Sequence, residues 1–162
     1  MKTSKLIKIT KIILVITLAL YFTLVVFGNL TDYGTNYLFV EHVLKMDTTF
    51  NSPNIMWKAI ENPICFHGVY WIIILTEIFT LICLWKGGVL FANKSKLKQE
   101  KGKKNIIIGL LLSMLIWFFY FITIGGEWFS MWQSETWNGL DAAFRMFVIS
   151  GIIFIMFLHK EK

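Results

Sequence analysis

The residue best placed to do chemistry is Glu77, because it lies in the middle of a long apolar run, Val69–Trp85. A charge at that depth in a bilayer costs about 2.5–3.5 kcal/mol on insertion scales for comparable residues, unless it is paired or protonated. We therefore expect Glu77 to face the interior of a helix bundle, where Thr17, Ser113 and Ser150 lie at a similar depth and could form hydrogen bonds with it. There it could join helices, contact a ligand or relay protons.

Two histidines are candidates for metal or ligand binding. His42 and His67 could ligate copper or zinc together with nearby carboxylates or thioethers, namely those of Asp47, Glu127, Met46 and Met131. The chain contains no HxxxH or HExxH pattern, so we predict hydrogen-bonded histidines and no metal. His159 is expected to be a cation at the end of the last apolar run, where the helix dipole favours it.

A third group of candidates lies in Gly125–Gly139, where acidic and amide residues alternate with tryptophans. Trp128 and Trp132 are four residues apart, so they are expected to stack on one helical face. Two interpretations are open: an interfacial aromatic belt, or the wall of a pocket with a few convergent polar groups. The candidate ligand-binding residues are therefore Glu77, His67, Glu127, Trp128, Trp132, Gln133, Arg145, His42 and Asp47. Arg145 is expected to pair with Glu127 or Asp141.

The elements that position these residues are membrane helices. The 162 residues are 56% hydrophobic and 17% aromatic, which exceeds what a soluble domain needs to fill one core. Four apolar runs are long enough to cross a bilayer, and they predict spans at about 9–28, 67–90, 105–124 and 141–159. We expect an all-α membrane protein, a four-transmembrane-helix bundle forming a single domain over residues 1–162.

The basic residues predict the orientation of the bundle. All but three of the 16 Lys and Arg residues lie at the N-terminus, at the C-terminus or in residues 86–104. The positive-inside rule therefore places both termini and this lysine-rich loop in the cytoplasm. No aromatic residue stands among the lysines of 94–104, so a solvated loop near anionic lipid is expected there and a nucleic-acid partner is not.

The remaining segments, 29–66 and 125–140, are here called the cap. They are expected to lie on the outer, periplasmic face of the membrane, with short helices covering the bundle. One helix is predicted at roughly Tyr37–Met46, where Glu41 and Lys45 form a favourable i,i+4 pair. A second short helix is expected before the proline that opens the second span.

Several strings in the cap carry a resemblance to a known family. They are Asn29–Asn36, Phe39–Phe50, Gly125–Ser134, Trp137–Gly139 and Ala143–Arg145. In this order they resemble the bacterial family of predicted small integral membrane proteins, domain of unknown function 2165, over nearly the whole chain. The resemblance implies a bacterial inner-membrane protein with four spans, and it implies no particular activity.

The sequence favours binding over catalysis. It contains no P-loop, GxGxxG, GxSxG or CxxCH motif, and these are the patterns that usually mark nucleotide, hydrolase or haem chemistry. We expect a non-enzymatic ligand-binding or accessory subunit whose partner, besides the bilayer, is a lipid, a quinone or another membrane subunit; the cofactor is unknown. Two alternatives are a membrane enzyme or redox component that uses Glu77, His42 and His67, and a transporter or channel subunit with Glu77 on its path.

Overall fold

The fold is an all-α bundle with four helices long enough to cross a membrane. The computed structural model describes residues 3–158, so the prediction for His159 lies outside the described residues. The helices are α1 (Thr3–Thr31), α2 (Tyr33–Lys45), α3 (Pro63–Ala92), α4 (Lys96–Met114) with a π-helical continuation (Leu115–Trp128), and α5 (Leu140–Leu158). All of them except α2 have the length and hydropathy of a membrane span. The predicted all-α, four-span architecture is confirmed.

Helix α3 begins as the sequence predicts. Asn62 is the N-cap, and its side-chain oxygen accepts a hydrogen bond from the Ile64 N–H at 2.9 Å, with Pro63 in the first turn. The helix is 30 residues long, or about 45 Å, which exceeds the roughly 30 Å of a hydrocarbon core. The first turns of α3 extend beyond the end of α1, and they pack against α2.

The third span is longer than predicted. It was expected to stop at Gly125 and Gly126, but it continues as a π-helix to Trp128. Both glycines are buried, and a Cβ added at Gly126 would lie 2.8 Å from a methyl carbon of Leu140. The two glycines thus allow the end of this helix to approach the following segment closely, rather than breaking it. The π-helix is rare, and it occurs mostly as single turns that are frequently found at functional sites.

The cap holds one helix and two single turns. Helix α2 begins at Tyr33, four residues earlier than predicted, and ends where Met46 adopts a left-handed conformation with φ of 54°. The predicted pair of Glu41 and Lys45 is present, and the hydrogen bond to Glu41 raises the pKa of the Lys45 ammonium group. The expected second short helix is only a 3-10 turn, Met56–Lys58.

Small residues bring the spans into close contact at the lysine-rich end. A Cβ added at Gly102 of α4 would lie 2.4 Å from the Phe91 nitrogen and 2.9 Å from the Gly87 oxygen, both in α3. The two backbones therefore touch directly, as small residues permit in membrane helices.

A buried hydroxyl pair connects α4 and α5. The Oγ atoms of Ser113 and Ser150 lie 2.7 Å apart, and both residues are fully buried. These serines were expected to bind Glu77, but they bind each other. Thr17, the third residue of that expected polar layer, is exposed on α1.

Replacing either serine with alanine is expected to destabilise the bundle, because the remaining hydroxyl group loses its partner. We expect Ser113→Ala and Ser150→Ala each to lower the free energy of unfolding by about 1 kcal/mol, and the coupling between them to be about 0.6 kcal/mol. Unfolding by titration with a denaturing detergent measures all three variants of this double-mutant cycle. Strictly additive effects would show that the pair contributes no interaction of its own.

Candidate functional site

The centre of the candidate site is a hydrogen bond between α1 and α3. Glu77 is 3% exposed, and its Oε2 atom accepts a hydrogen bond from the Asn29 side-chain nitrogen at 2.7 Å. Asn29 belongs to the last turn of α1. The first part of α3 packs against α2. Glu77 is therefore buried as predicted, but its partner is an amide at the end of a span and not the expected hydroxyl layer.

A cavity of about 230 Å³ opens beside this hydrogen bond, directly beneath the cap. Its walls come from four helices and from the start of α5. The polar residues that line it are Glu77, Asn29, Asn36, Tyr21, Tyr70 and Trp117. No lysine, arginine or histidine is among the lining residues. The cavity thus offers hydrogen-bond donors and acceptors around one carboxyl group, without a cation to pair with it.

Trp117 supplies a donor that the protein does not use. The residue is 6% exposed, and within residues 3–158 its indole N–H is buried with no hydrogen-bond partner. Buried polar groups usually have a partner, and leaving one unpaired costs about 1–3 kcal/mol. Trp117 belongs to the π-helical continuation of α4 and lines the same cavity as Glu77. A residue with an unused donor and a residue with a carboxyl group therefore line one cavity.

A second, apolar cavity of about 220 Å³ lies next to the first. The two cavities share a wall formed by Phe39, Val40, Ile73 and Phe121. The rings of Phe39 and Phe121 are stacked with centroids 6.1 Å apart. The summed volume of the two cavities falls within the roughly 300–1,000 Å³ range of small-molecule sites, and an apolar chamber lies beside a polar one.

The two halves of the cap are bound to each other above these cavities. The Thr48 hydroxyl donates to the Ser134 hydroxyl at 2.8 Å, and the Phe50 N–H donates to the Gln133 side-chain oxygen at 3.0 Å. Gln133, a predicted ligand-binding residue, thus joins the cap segments.

His42 and Asp47 also hold the cap together. His42 Nδ1 lies 2.8 Å from Asp47 Oδ2, and its ring stacks on Trp137 with centroids 4.6 Å apart. Both predicted site residues therefore have partners within the cap, and neither lines the polar or the apolar cavity.

His67 belongs to a separate aromatic group. Its Nδ1 atom lies 2.8 Å from the Tyr33 hydroxyl oxygen, and its ring stacks on Tyr37 with centroids 4.4 Å apart. Burial raises the pKa of the Tyr33 hydroxyl group. The two histidines therefore have different partners, and within residues 3–158 no group of three His, Cys, Asp or Glu side chains could hold a metal ion.

The predicted stacking of Trp128 on Trp132 is wrong. The helix ends at Trp128, and Ser130 adopts a left-handed conformation with φ of 56°, so the two indoles diverge. Trp128 meets Trp57 edge to face, whereas Trp132 meets Phe50 in the same way. Both indoles are about half exposed, which matches an aromatic belt better than a pocket wall.

The predicted ion pair of Arg145 is also wrong. Arg145, Glu127 and Asp141 are all exposed, and within the described chain Arg145 forms no salt bridge with either carboxylate. Arg145 lies on the outer surface of α5, where a long side chain can reach the membrane interface. Of the nine predicted site residues, Glu77 alone lines either of these cavities, and it lines the polar one.

Sequence reasoning missed three important residues: Asn29, Trp117 and Tyr70. Tyr70 donates a hydrogen bond to the Asn29 backbone oxygen at 3.3 Å and so closes one side of the polar cavity. Asn29 was the first residue of the strings that carried the family resemblance. Trp117 gave no signal, because one tryptophan within an apolar run is unremarkable until its surroundings are known.

Comparison with known proteins agrees with this architecture. No curated protein and no solved structure matches the chain. A family model described as a predicted small integral membrane protein matches residues 7–160, which is nearly the whole sequence. Four helices that are long and apolar enough to cross a membrane agree with that description. The chain therefore belongs to the family of predicted small integral membrane proteins designated domain of unknown function 2165.

Proposed function

We propose that this protein is a non-enzymatic binding or accessory protein that holds a small amphipathic molecule beneath its cap. The observation that carries the proposal is that Glu77 and Trp117 line the same cavity, and that the buried Trp117 N–H has no hydrogen-bond partner among residues 3–158. The adjoining apolar chamber would take the rest of such a molecule. A ligand that pairs with Trp117 would remove the cost of its buried donor.

We also propose an orientation of the bundle in the membrane. Lys8 lies over the Phe91 ring of α3, and Lys11 lies over the Phe157 ring of α5, so basic residues from the first helix meet the ends of two others. Positive charge at this end supports placing it in the cytoplasm. The cap would then face the periplasm of a bacterial inner membrane, and molecules of the outer leaflet would be the nearest ligands.

The geometry gives less support to a redox or metal-dependent enzyme. Such a role would use Glu77, His42 and His67 together, but each of them is bound to a different partner: Asn29, Asp47 and Tyr33. A transporter or channel role would use Glu77 on a path through the bundle, and the cavity described here lies only beneath the cap.

Filling the wall between the chambers is expected to remove the bound molecule. Ile73 lines both cavities, so Ile73→Trp would place a bulky indole at the wall that the two cavities share. Leu75→Trp is the matched control, because Leu75 is two residues away on α3 and is half exposed on its outer surface. After purification in a mild detergent, mass spectrometry of the extracted lipids should show at least about a tenfold loss of the enriched molecule in Ile73→Trp, which is roughly 1.4 kcal/mol.

The wild type and Leu75→Trp are expected to retain the same molecule in equal amounts. Native mass spectrometry of the intact protein gives an independent reading of the bound mass. The proposal would be overturned if the wild type carried no molecule above its level in the bulk membrane lipid, or if both tryptophan variants carried it equally.

A further inference from the structure

The polar chamber indicates which chemical group its ligand carries, and this inference rests on the proposed function. We infer that the ligand is a neutral lipid whose polar end is a hydroxyl group, bound between the Glu77 carboxyl group and the Trp117 N–H. Phospholipids and fatty acids, which carry an anionic phosphate or carboxylate group, are therefore not the expected ligands.

Hydrogen-bonding capacity favours a hydroxyl group. The Trp117 N–H can only donate, so it needs an acceptor. The Glu77 carboxyl group accepts when it is ionised, and it both donates and accepts when it is protonated. A hydroxyl group has one donor and two lone pairs. It can therefore bind Trp117 and Glu77 at once, whichever protonation state Glu77 adopts.

Charge disfavours the two ionic alternatives. An anionic head would meet the Glu77 oxygens in a cavity that no basic side chain lines, and a buried anion without a cation is costly. An ammonium head could pair with Glu77, but it has no lone pair for Trp117. Asn29 already donates to the carboxyl group at 2.7 Å, which leaves the remaining lone pairs for a hydroxyl donor.

The apolar chamber fits the other end of such a lipid. Aliphatic and aromatic side chains from α2, α3 and the π-helical segment line it, and Ile72 at its border is half exposed on the outer surface of α3. An alkyl chain could therefore lie in the chamber and leave toward the hydrocarbon past Ile72. Burial of that chain would supply most of the affinity, because each CH₂ group that is removed from water contributes a favourable transfer free energy.

Three probes with the same tail and different heads test the inference. Decanol, decylamine and decanoate are titrated into the delipidated full-length protein in detergent, and the thermal unfolding midpoint gives the apparent affinity. Decanol is expected to bind most tightly. Its affinity should fall about fivefold in Trp117→Phe, which removes one hydrogen bond, and it should be unchanged in Trp71→Phe, because Trp71 lines neither chamber.

The outcomes separate this inference from the proposed function. If decanoate bound as tightly as decanol with the same dependence on Trp117, the hydroxyl assignment would be overturned while the binding function stood. The same holds if decylamine bound most tightly and Glu77→Gln abolished that preference. If no probe stabilised the wild type more than it stabilised Ile73→Trp, the binding function itself would fail.

Discussion

Replacing Gly102 with leucine is expected to prevent the bundle from folding. A Cβ at this position would lie 2.4 Å from the Phe91 nitrogen and 2.9 Å from the Gly87 oxygen. Both are backbone atoms, so neither a rotamer change nor a flexible side chain can relieve the clash. Overpacking costs about 1–3 kcal/mol even where side chains can shift, and here two spans would have to separate. Size-exclusion chromatography and thermal unfolding in detergent should show little folded protein.

Gly151 of α5 provides the matched control. A Cβ added there has nothing within 4 Å, so Gly151→Leu is expected to fold normally and to gain slightly from the better helix propensity of leucine. Gly102→Ala should fall between the two, with a measurable loss of stability. Equal stability of the leucine variants at 102 and 151 would show that α3 and α4 do not touch at Gly102.

Much of the fold could be predicted from the sequence because the bilayer imposes strong rules. Apolar length and the cost of burying unpaired backbone groups predicted four helices. Local capping chemistry predicted the start of α3 at Asn62 and Pro63, and i,i+4 geometry predicted the pair of Glu41 and Lys45. The helix start and the ion pair each depend on residues that are close together in the chain. Contacts between helices therefore do not alter them.

The site could be predicted only in part, because its geometry depends on how the spans are offset. Counting equal depths along each span placed Glu77 beside Thr17, Ser113 and Ser150. The structure instead pairs α1 and α3 with a shift, which brings Asn29 to Glu77. The first part of α3 packs against α2 in the same arrangement. No periodicity in the sequence reports such an offset between two helices.

The π-helical continuation of α4 is a second feature that sequence patterns could not supply. A window with helical hydrophobic periodicity predicts a helix but does not distinguish α from π geometry. The change of geometry from Leu115 onward alters which residues face inward, and it includes Trp117, whose N–H is buried without a partner. It also carries the helix past Gly126 to Trp128, which separates Trp128 from Trp132.

Placing a lysine at position 77 is expected to cause the second largest loss of stability, and an aspartate at position 29 should restore that stability. Glu77→Lys would place an ammonium group against the Asn29 amide donor, in a cavity with no other acidic side chain. An uncompensated buried charge costs about 3–5 kcal/mol. Asn29→Asp, which preserves the size and shape of Asn29, would supply an anion at the same position, so the double variant should regain most of the lost free energy of unfolding.

Asn36→Asp is the matched control for this rescue. Asn36 lines the same cavity, but Asn29 is the residue that donates to Glu77. In the Glu77→Lys background, Asn36→Asp should therefore restore far less stability than Asn29→Asp, as measured by unfolding in detergent. Equal rescue by both aspartates would mean that the cavity responds to net charge alone. In that case the contact between Asn29 and Glu77 would not position the carboxyl group, and the ligand geometry built on that contact would have to be abandoned.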